Sequence, residues 1–181
     1  FGRLVKEKGA HIYVNSIKSI AHHYPEWDFG LIGSFRLGNN NNENSYAKSV
    51  IREFKSIGPQ AHFYGFKDHD FVEAKMKSAS IIIIPSIWQE PFGLVVAEAM
   101  SNGVAVIASK VGGIPEILKD NGILIENLNS ENLEKALLDL IENEKKRKLL
   151  QKKSWKNFRL FSSCSSKKLD KFRQSIVKDY F

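Results

Sequence analysis

Apolar and polar positions recur with more than one period along the chain, and the period identifies the element. In HIYVNSIKSIAHHY, residues 11–24, Ile12, Ile17, Ile20 and Tyr24 fall at helical spacing. WDFGLIGS, 27–34, reads as a short apolar strand near a glycine stop. The pattern predicts a helix in YAKSVIREFKSI, a strand in AHFYGF and a helix in DFVEAKMKSA, the last opened by Asp70 with Glu73 as its capping-box partner. SIIIIPS, 80–86, is a continuous β-branched run, the mark of a strand buried on both faces. Beyond it we read a helix from Gly93 to Asn102, the strand VAVIAS, the glycine-rich turn KVGGIPEIL, the strand GILIE and helices from Ser130 onward. Strands separated by helical crossovers make parallel sheets, so the fold expected is α/β: a Rossmann-like open parallel sheet flanked by helices, followed by a helical C-terminal tail. GNNNNENS, 38–45, is a polar loop of low complexity, expected to be mobile.

Composition fits one soluble domain with a substantial core, at 181 residues, 43% hydrophobic and 26% charged. No apolar run approaches the ~20 residues of a membrane-spanning helix, and no secretory leader pattern is present, so a cytoplasmic protein is expected. Cys164 is the only cysteine, which excludes an internal disulfide framework or a multi-cysteine metal site. The chain opens on Phe-Gly-Arg without Met, and we expect a fragment that enters in mid-strand. The net charge of +7 is unevenly placed: residues 145–181 carry 13 of the 27 Lys and Arg but only 2 of the 20 acidic residues. We therefore divide the chain into a domain at 1–145, its first strand truncated, and a basic helical tail at 146–181. The tail reads as a solvated helix face or as a peripheral contact with anionic lipid on the inner face of a membrane. Its aromatics sit at helical spacing with no recognition motif, so no nucleic-acid partner is expected.

Ligands of open α/β sheets bind where strands end and helices begin, and WQEPFGLVVAEAM, 88–100, lies at such a place. Phe92, Gly93 and Leu94 are expected in the first turn of the helix, where backbone N–H groups and the positive end of the dipole suit a phosphate. Glu90 in the preceding loop and Glu98 within the helix then bracket a diphosphate, an arrangement suited to the hydroxyls at either end of a nucleotide sugar. Arg3 and Lys8, in FGRLVKEKG on the same sheet edge, supply the cations that two glutamates beside a diphosphate require.

FGRLVKEKG, IIPSIWQEPFGLVVAEAMSNGVAVIAS and VGGIPEIL, in this order, resemble the donor-binding C-terminal half of a retaining family 4 glycosyltransferase of the GT-B fold. The Glu-x7-Glu spacing of Glu90 and Glu98 matches the signature of that family, and the resemblance covers residues 1–145 most closely. It implies hexosyl transfer with retention from a nucleotide-diphosphate sugar, in lipopolysaccharide, capsule or other glycan biosynthesis. By the same resemblance Arg3 and Lys8 hold the diphosphate and stabilise the leaving group, and Glu90 contacts the transferred sugar. Phe92, Gly93 and Leu94 cradle sugar and phosphate, Glu98 binds the ribose, and the base lies near Phe66 and Lys67. No metal or other cofactor is obligatory in the family, and the nucleotide base is left open. The family's saccharide or lipid-linked acceptor approaches from an N-terminal domain absent from this chain, so the isolated domain is expected to bind donor and to be inactive alone.

Two other functions stay open at this stage: a nucleotide-sugar epimerase of GT-B fold and a non-catalytic nucleotide-sugar-binding module. Several features have plain structural readings. Gly112, Gly113 and Pro115 either shape a turn or touch a ligand, Glu116 caps a short helix, and Trp88 packs or lines a cleft wall. Asp68-His69-Asp70 matches an Asp-x-Asp metal pattern, but its place before a helix explains Asp70 as a cap. The five histidines show no ligand spacing, and G-x-G-x-x-G and Walker motifs are absent.

Overall fold

A computed structural model describes residues 2–34 and 45–158. Most of the polar loop GNNNNENS and the tail beyond Phe158, including Cys164, lie outside the described residues. A 3-10 turn at Lys6–Lys8 leads into α1 (Ala10–Lys18), and a second at Ala21–His23 precedes β1 (Phe29–Ile32). Then come α2 (Ser45–Lys55), β2 (Ala61–Gly65), α3 (His69–Ser78), β3 (Ile81–Ile84) and α4 (Leu94–Ser101). They are followed by β4 (Ala105–Ser109), α5 (Ile114–Leu118), β5 (Ile123–Ile125), α6 (Ser130–Glu142) and a helix α7 over 144–158.

β4 shows why helices cover both faces. All five of its residues are buried, and successive side chains point to opposite sides. Ala105 and Ile107 join a core with Val14 and Ile17 of α1, Phe54 of α2 and Leu133 of α6. Val106 and Ala108 join a second core with Met76 of α3, Val96 of α4 and Ile114 and Leu118 of α5. The α/β class with parallel strands and flanking helices is therefore present as expected.

Among the described residues the strands form two hydrogen-bonded groups, β1–β2 and β3–β4–β5, every pairing being parallel. This division corrects one expectation. In β3 only Ile82 and Ile84 are buried, whereas Ile81 and Ile83 are half-buried. Among the described residues β3 pairs with β4 alone, and β4, paired on both edges, is the strand buried on both faces. A second correction concerns α3. Its N-cap is Asp68, whose carboxylate accepts from the Phe71 amide at 2.9 Å; Asp70 already lies in the first turn, and Glu73 pairs with Lys77. Asp68 is the residue with extended dihedrals that a cap needs.

The expected boundary near residue 145 falls inside α7, which docks on the domain. Leu150 and Ser154 are buried, Ser154 donates to the Asn121 carbonyl at 3.0 Å, and Gln151 donates to that of Ser80 at 3.0 Å. Arg147 donates to the carbonyls of Leu140 and Ile141 at the end of α6 while its guanidinium lies over Trp27. Lys146, Lys148 and Lys153 pair with Asp139, Glu144 and Asp120, so part of the basic stretch faces carboxylates of this chain. No helix of the described residues is long and apolar enough to cross a membrane.

Candidate functional site

Two loops far apart in sequence meet at the carboxyl ends of the strands. Gly9, with φ +67°, closes the first loop where a Cβ would stand 1.8 Å from the Pro85 carbonyl oxygen. Only glycine permits that approach in that conformation. The Glu7 carbonyl accepts from the amides of Ile87 and Trp88 at 2.8 and 3.2 Å. The loop after β3 is thus fastened to the loop before α1. That fastening brings the Lys8 ammonium onto the Glu90 carboxylate.

Glu90 is the electrostatic centre of this meeting. Burial opposes its ionisation, but hydrogen bonds from Lys8 and Ser86, with the charges of Lys8 and Arg3, hold its carboxyl below the usual range. The Ser86 bond is 2.8 Å long, and the buried Ser109 hydroxyl donates to the Ser86 carbonyl at 2.5 Å. A third loop supports the backbone. The Gly113 amide donates to the Glu90 carbonyl and the Gly112 amide to Gln89 Oε1, both at 2.7 Å. A Cβ on Gly112, where φ is +53°, would stand 2.2 Å from the Glu90 carbonyl oxygen. These glycines let two loop backbones touch, which favours the turn-shaping reading over a ligand role.

Glu90 stands four residues before Leu94, the first residue of α4. Gly93 is the N-cap of that helix in the left-handed region, at φ +76°, and offers no side chain to its first-turn amides. Helix-end amides uncapped by a side chain, beside Arg3 and Lys8, suit an anion. A cavity of about 1170 Å³ opens here, lined at this end by Arg3, Lys8, Glu90, Phe92, Gly93 and Leu94. Phe92 and Leu94 are exposed apolar side chains at its rim.

Residues 1–156 match the family described as glycosyl transferases group 1. The chain belongs to the group 1 glycosyltransferase family. It is similar to an uncharacterized glycosyltransferase of Methanocaldococcus jannaschii, 35% identical over 151 residues that cover 82% of this chain and 39% of that protein. Similarity to the lipopolysaccharide 1,2-N-acetylglucosaminetransferase of Salmonella typhimurium is 29% over 168 residues, 86% of this chain and 44% of that one. Among solved structures, Anabaena HepE in complex with UDP-glucose matches with a TM-score of 0.75 at 26% identity, over 87% of this chain and 43% of that one. The fold is that of the C-terminal domain of GT-B glycosyltransferases. The chain spans about two fifths of the length of the curated relatives it matches.

In this glycosyltransferase domain the expected site residues divide into two groups. Arg3, Lys8, Glu90, Phe92, Gly93 and Leu94 gather around one end of the cavity. Phe92 precedes α4, Gly93 caps it and Leu94 is its first residue, one position later than the first turn expected. Glu98, Phe66 and Lys67 do not line the cavity. Glu98 is half-buried one turn into α4; Phe66 is exposed just after β2, and the Lys67 ammonium lies 4.9 Å from the Phe71 ring centre. Ser86, Gln89, Ser109 and the backbone role of Gly112 were not singled out as site residues from sequence. Ser86 had a local signal, a hydroxyl two residues after β3 and four residues before Glu90. Asp68 is occupied as the α3 cap, and among the described residues no three His, Cys, Asp or Glu side chains gather as a metal site would require.

Proposed function

We propose that this domain binds a nucleotide-diphosphate sugar and forms the donor half of a retaining hexosyltransferase acting in lipopolysaccharide, capsule or other glycan assembly. The observation that carries the reading is the convergence of Arg3, Lys8 and Glu90 on the N-terminus of α4. Two cations and helix-end amides meet the charge of a diphosphate, and the one carboxylate among them suits the hydroxyls of the attached sugar. The relatives' glycosyltransferase names, and the UDP-glucose held by the Anabaena neighbour, support the ligand class.

In transfer, the bond from the anomeric carbon to the diphosphate oxygen breaks and a bond to an acceptor hydroxyl oxygen forms. Negative charge grows on the departing diphosphate. Arg3, Lys8 and the first-turn amides of α4 are fixed where that charge develops, so they stabilise it without reorganising. These groups supply the charge compensation for which other transferases use a divalent ion, so the reading requires no metal. A diphosphate on Lys8 would draw that cation from Glu90, leaving the carboxylate to accept from a sugar hydroxyl while Ser86 keeps its direction. Glu98 would reach the ribose from the outer side of α4, with the base toward Phe66 and Lys67. The acceptor would be seated by the part of the longer relatives that this chain does not span.

Calorimetric titration with UDP, GDP and ADP, then with sugar conjugates of whichever binds, tests the reading without added divalent metal. Saturable binding lost in Lys8→Ala is expected. No binding by any of the three, or binding indifferent to Lys8→Ala, would overturn it.

A further inference from the structure

The turn between α5 and β5, residues 119–122, lies away from the candidate site and holds a strained backbone position. Lys119 has φ +50° and ψ −128°, and it is the only non-glycine residue among those described with positive φ. An L side chain there is costly and persists only where the surroundings impose it. α7 supplies those surroundings. Lys153 pairs with Asp120 at 3.1 Å, the Ser154 hydroxyl donates to the Asn121 carbonyl at 3.0 Å, and the Asn157 side-chain amide donates to Asn121 Oδ1. Asn121 is buried, so no solvent replaces these donors when they are lost.

α5 carries this turn into the candidate site. Two hydrogen bonds tie the turn to the end of the helix: the Lys119 amide donates to the Pro115 carbonyl at 3.0 Å and the Asn121 amide to that of Leu118 at 2.9 Å. About 8 Å away, at ~1.5 Å per residue, the other end of α5 follows Gly112 and Gly113, whose amides hold Gln89 and the Glu90 carbonyl. Ile114 and Leu118, the first and last residues of α5, are wholly buried. Ile114 also abuts the N-cap of α4, since a Cβ on Gly93 would stand 3.2 Å from its Cγ1. A helix this short, close-packed at both ends, passes a displacement of one end to the other.

We propose that Asn121 is a positioning residue for the candidate site. Held by α7, it fixes the strained turn; the turn fixes α5, and α5 fixes the backbone of Glu90 and the N-terminus of α4. α7 docks where β3, β4 and β5 begin, at Ser80, Gly103 and Asn121, and so sets geometry at the carboxyl ends of the same strands. Were α5 held by its buried side chains alone, cutting the α7 contacts would loosen the turn and leave Gly113 untouched. The support of Glu90 belongs to the unliganded chain, and only the effect on ligand affinity rests on the donor-site reading.

The test uses the full chain carrying Ser154→Ala with Asn157→Ala, which cuts the clasp and keeps Asn121, and the same pair with Lys119→Gly, which removes the strain. Amide hydrogen exchange without ligand reads the support of Glu90. In the pair, exchange of the Gly113 amide is expected to quicken by at least ~10-fold relative to the amides of β1, which report global opening. Lys119→Gly is expected to return it to within about threefold of the native rate, since a relaxed turn no longer needs the clasp. Affinity for the sugar conjugate of whichever of UDP, GDP and ADP binds the native chain should fall roughly 2- to 30-fold in the pair and recover with Lys119→Gly. An unchanged Gly113 rate, a quickening shared equally by β1, or no recovery with Lys119→Gly would overturn the proposal. So would unchanged affinity in a chain that binds the conjugate. If the native chain binds none of the three nucleotides, the donor-site reading fails and the exchange rates alone decide this inference.

Discussion

Lys8 and Glu90 are separated by 82 positions in sequence, yet they share a hydrogen bond. If Lys8 carries the diphosphate, Lys8→Ala should weaken nucleoside diphosphate binding by roughly 10- to 100-fold, the scale of a charged hydrogen bond, read by calorimetry. Glu90→Ala should leave the free nucleoside diphosphate nearly unaffected and remove the added affinity of the sugar conjugate; Glu98→Ala should weaken both ligands. Equal losses on both ligands in both variants would refute that division of roles. Glu90 also makes a pH prediction. Its carboxyl is held below the usual range in the folded protein, so its pairing contributes stability above the unfolded value near ~4.3 and loses it as pH falls through the lower folded value. The gap in thermal midpoint between the native chain and Glu90→Gln should therefore be constant near neutrality and close in strong acid. Gly112→Ala would force a Cβ against the Glu90 backbone. It should cost about 1–3 kcal/mol in denaturant unfolding and weaken sugar-conjugate binding.

At the scale of elements, capping separates what was legible from what was not. The amphipathic period of α3 identified a helix, but two aspartates stood two positions apart at its start and sequence favoured the wrong one. Asp68→Ala should cost about 1 kcal/mol of stability and Asp70→Ala a few tenths, measured by urea unfolding. The β-branched run of β3 and the short apolar run of β4 were legible as strands. Which of them is enclosed on both sides depends on neighbours, and those are set by pairings between distant segments. Ile107→Ala in β4 should cost about 2–5 kcal/mol, since its side chain is wholly buried in the core with α1, α2 and α6. α7 shows what composition leaves out: the basic stretch read as a helical tail, and Leu150, Ser154 and Arg147 are the residues that dock its described part on the domain.

For the whole molecule, alternating strands and helices made the α/β class readable, and the order of motifs pointed to the glycosyltransferase family. The division of the sheet into β1–β2 and β3–β4–β5 was not readable, because strand pairing is set between distant segments and not by any local pattern. Nor was the support of Glu90 by Ser86, Gly9 and Gly112, which exists only where three loops meet. In the proposed function an anionic diphosphate sits where these loops meet the N-terminus of α4. Amide chemical-shift mapping during titration with UDP examines it most directly. Saturating shifts are expected at Gly93, Leu94 and Val95 and at Lys8 and Gly9, and none of them in Lys8→Ala. Shifts confined to the basic helix over 144–158, or none at the start of α4, would contradict it.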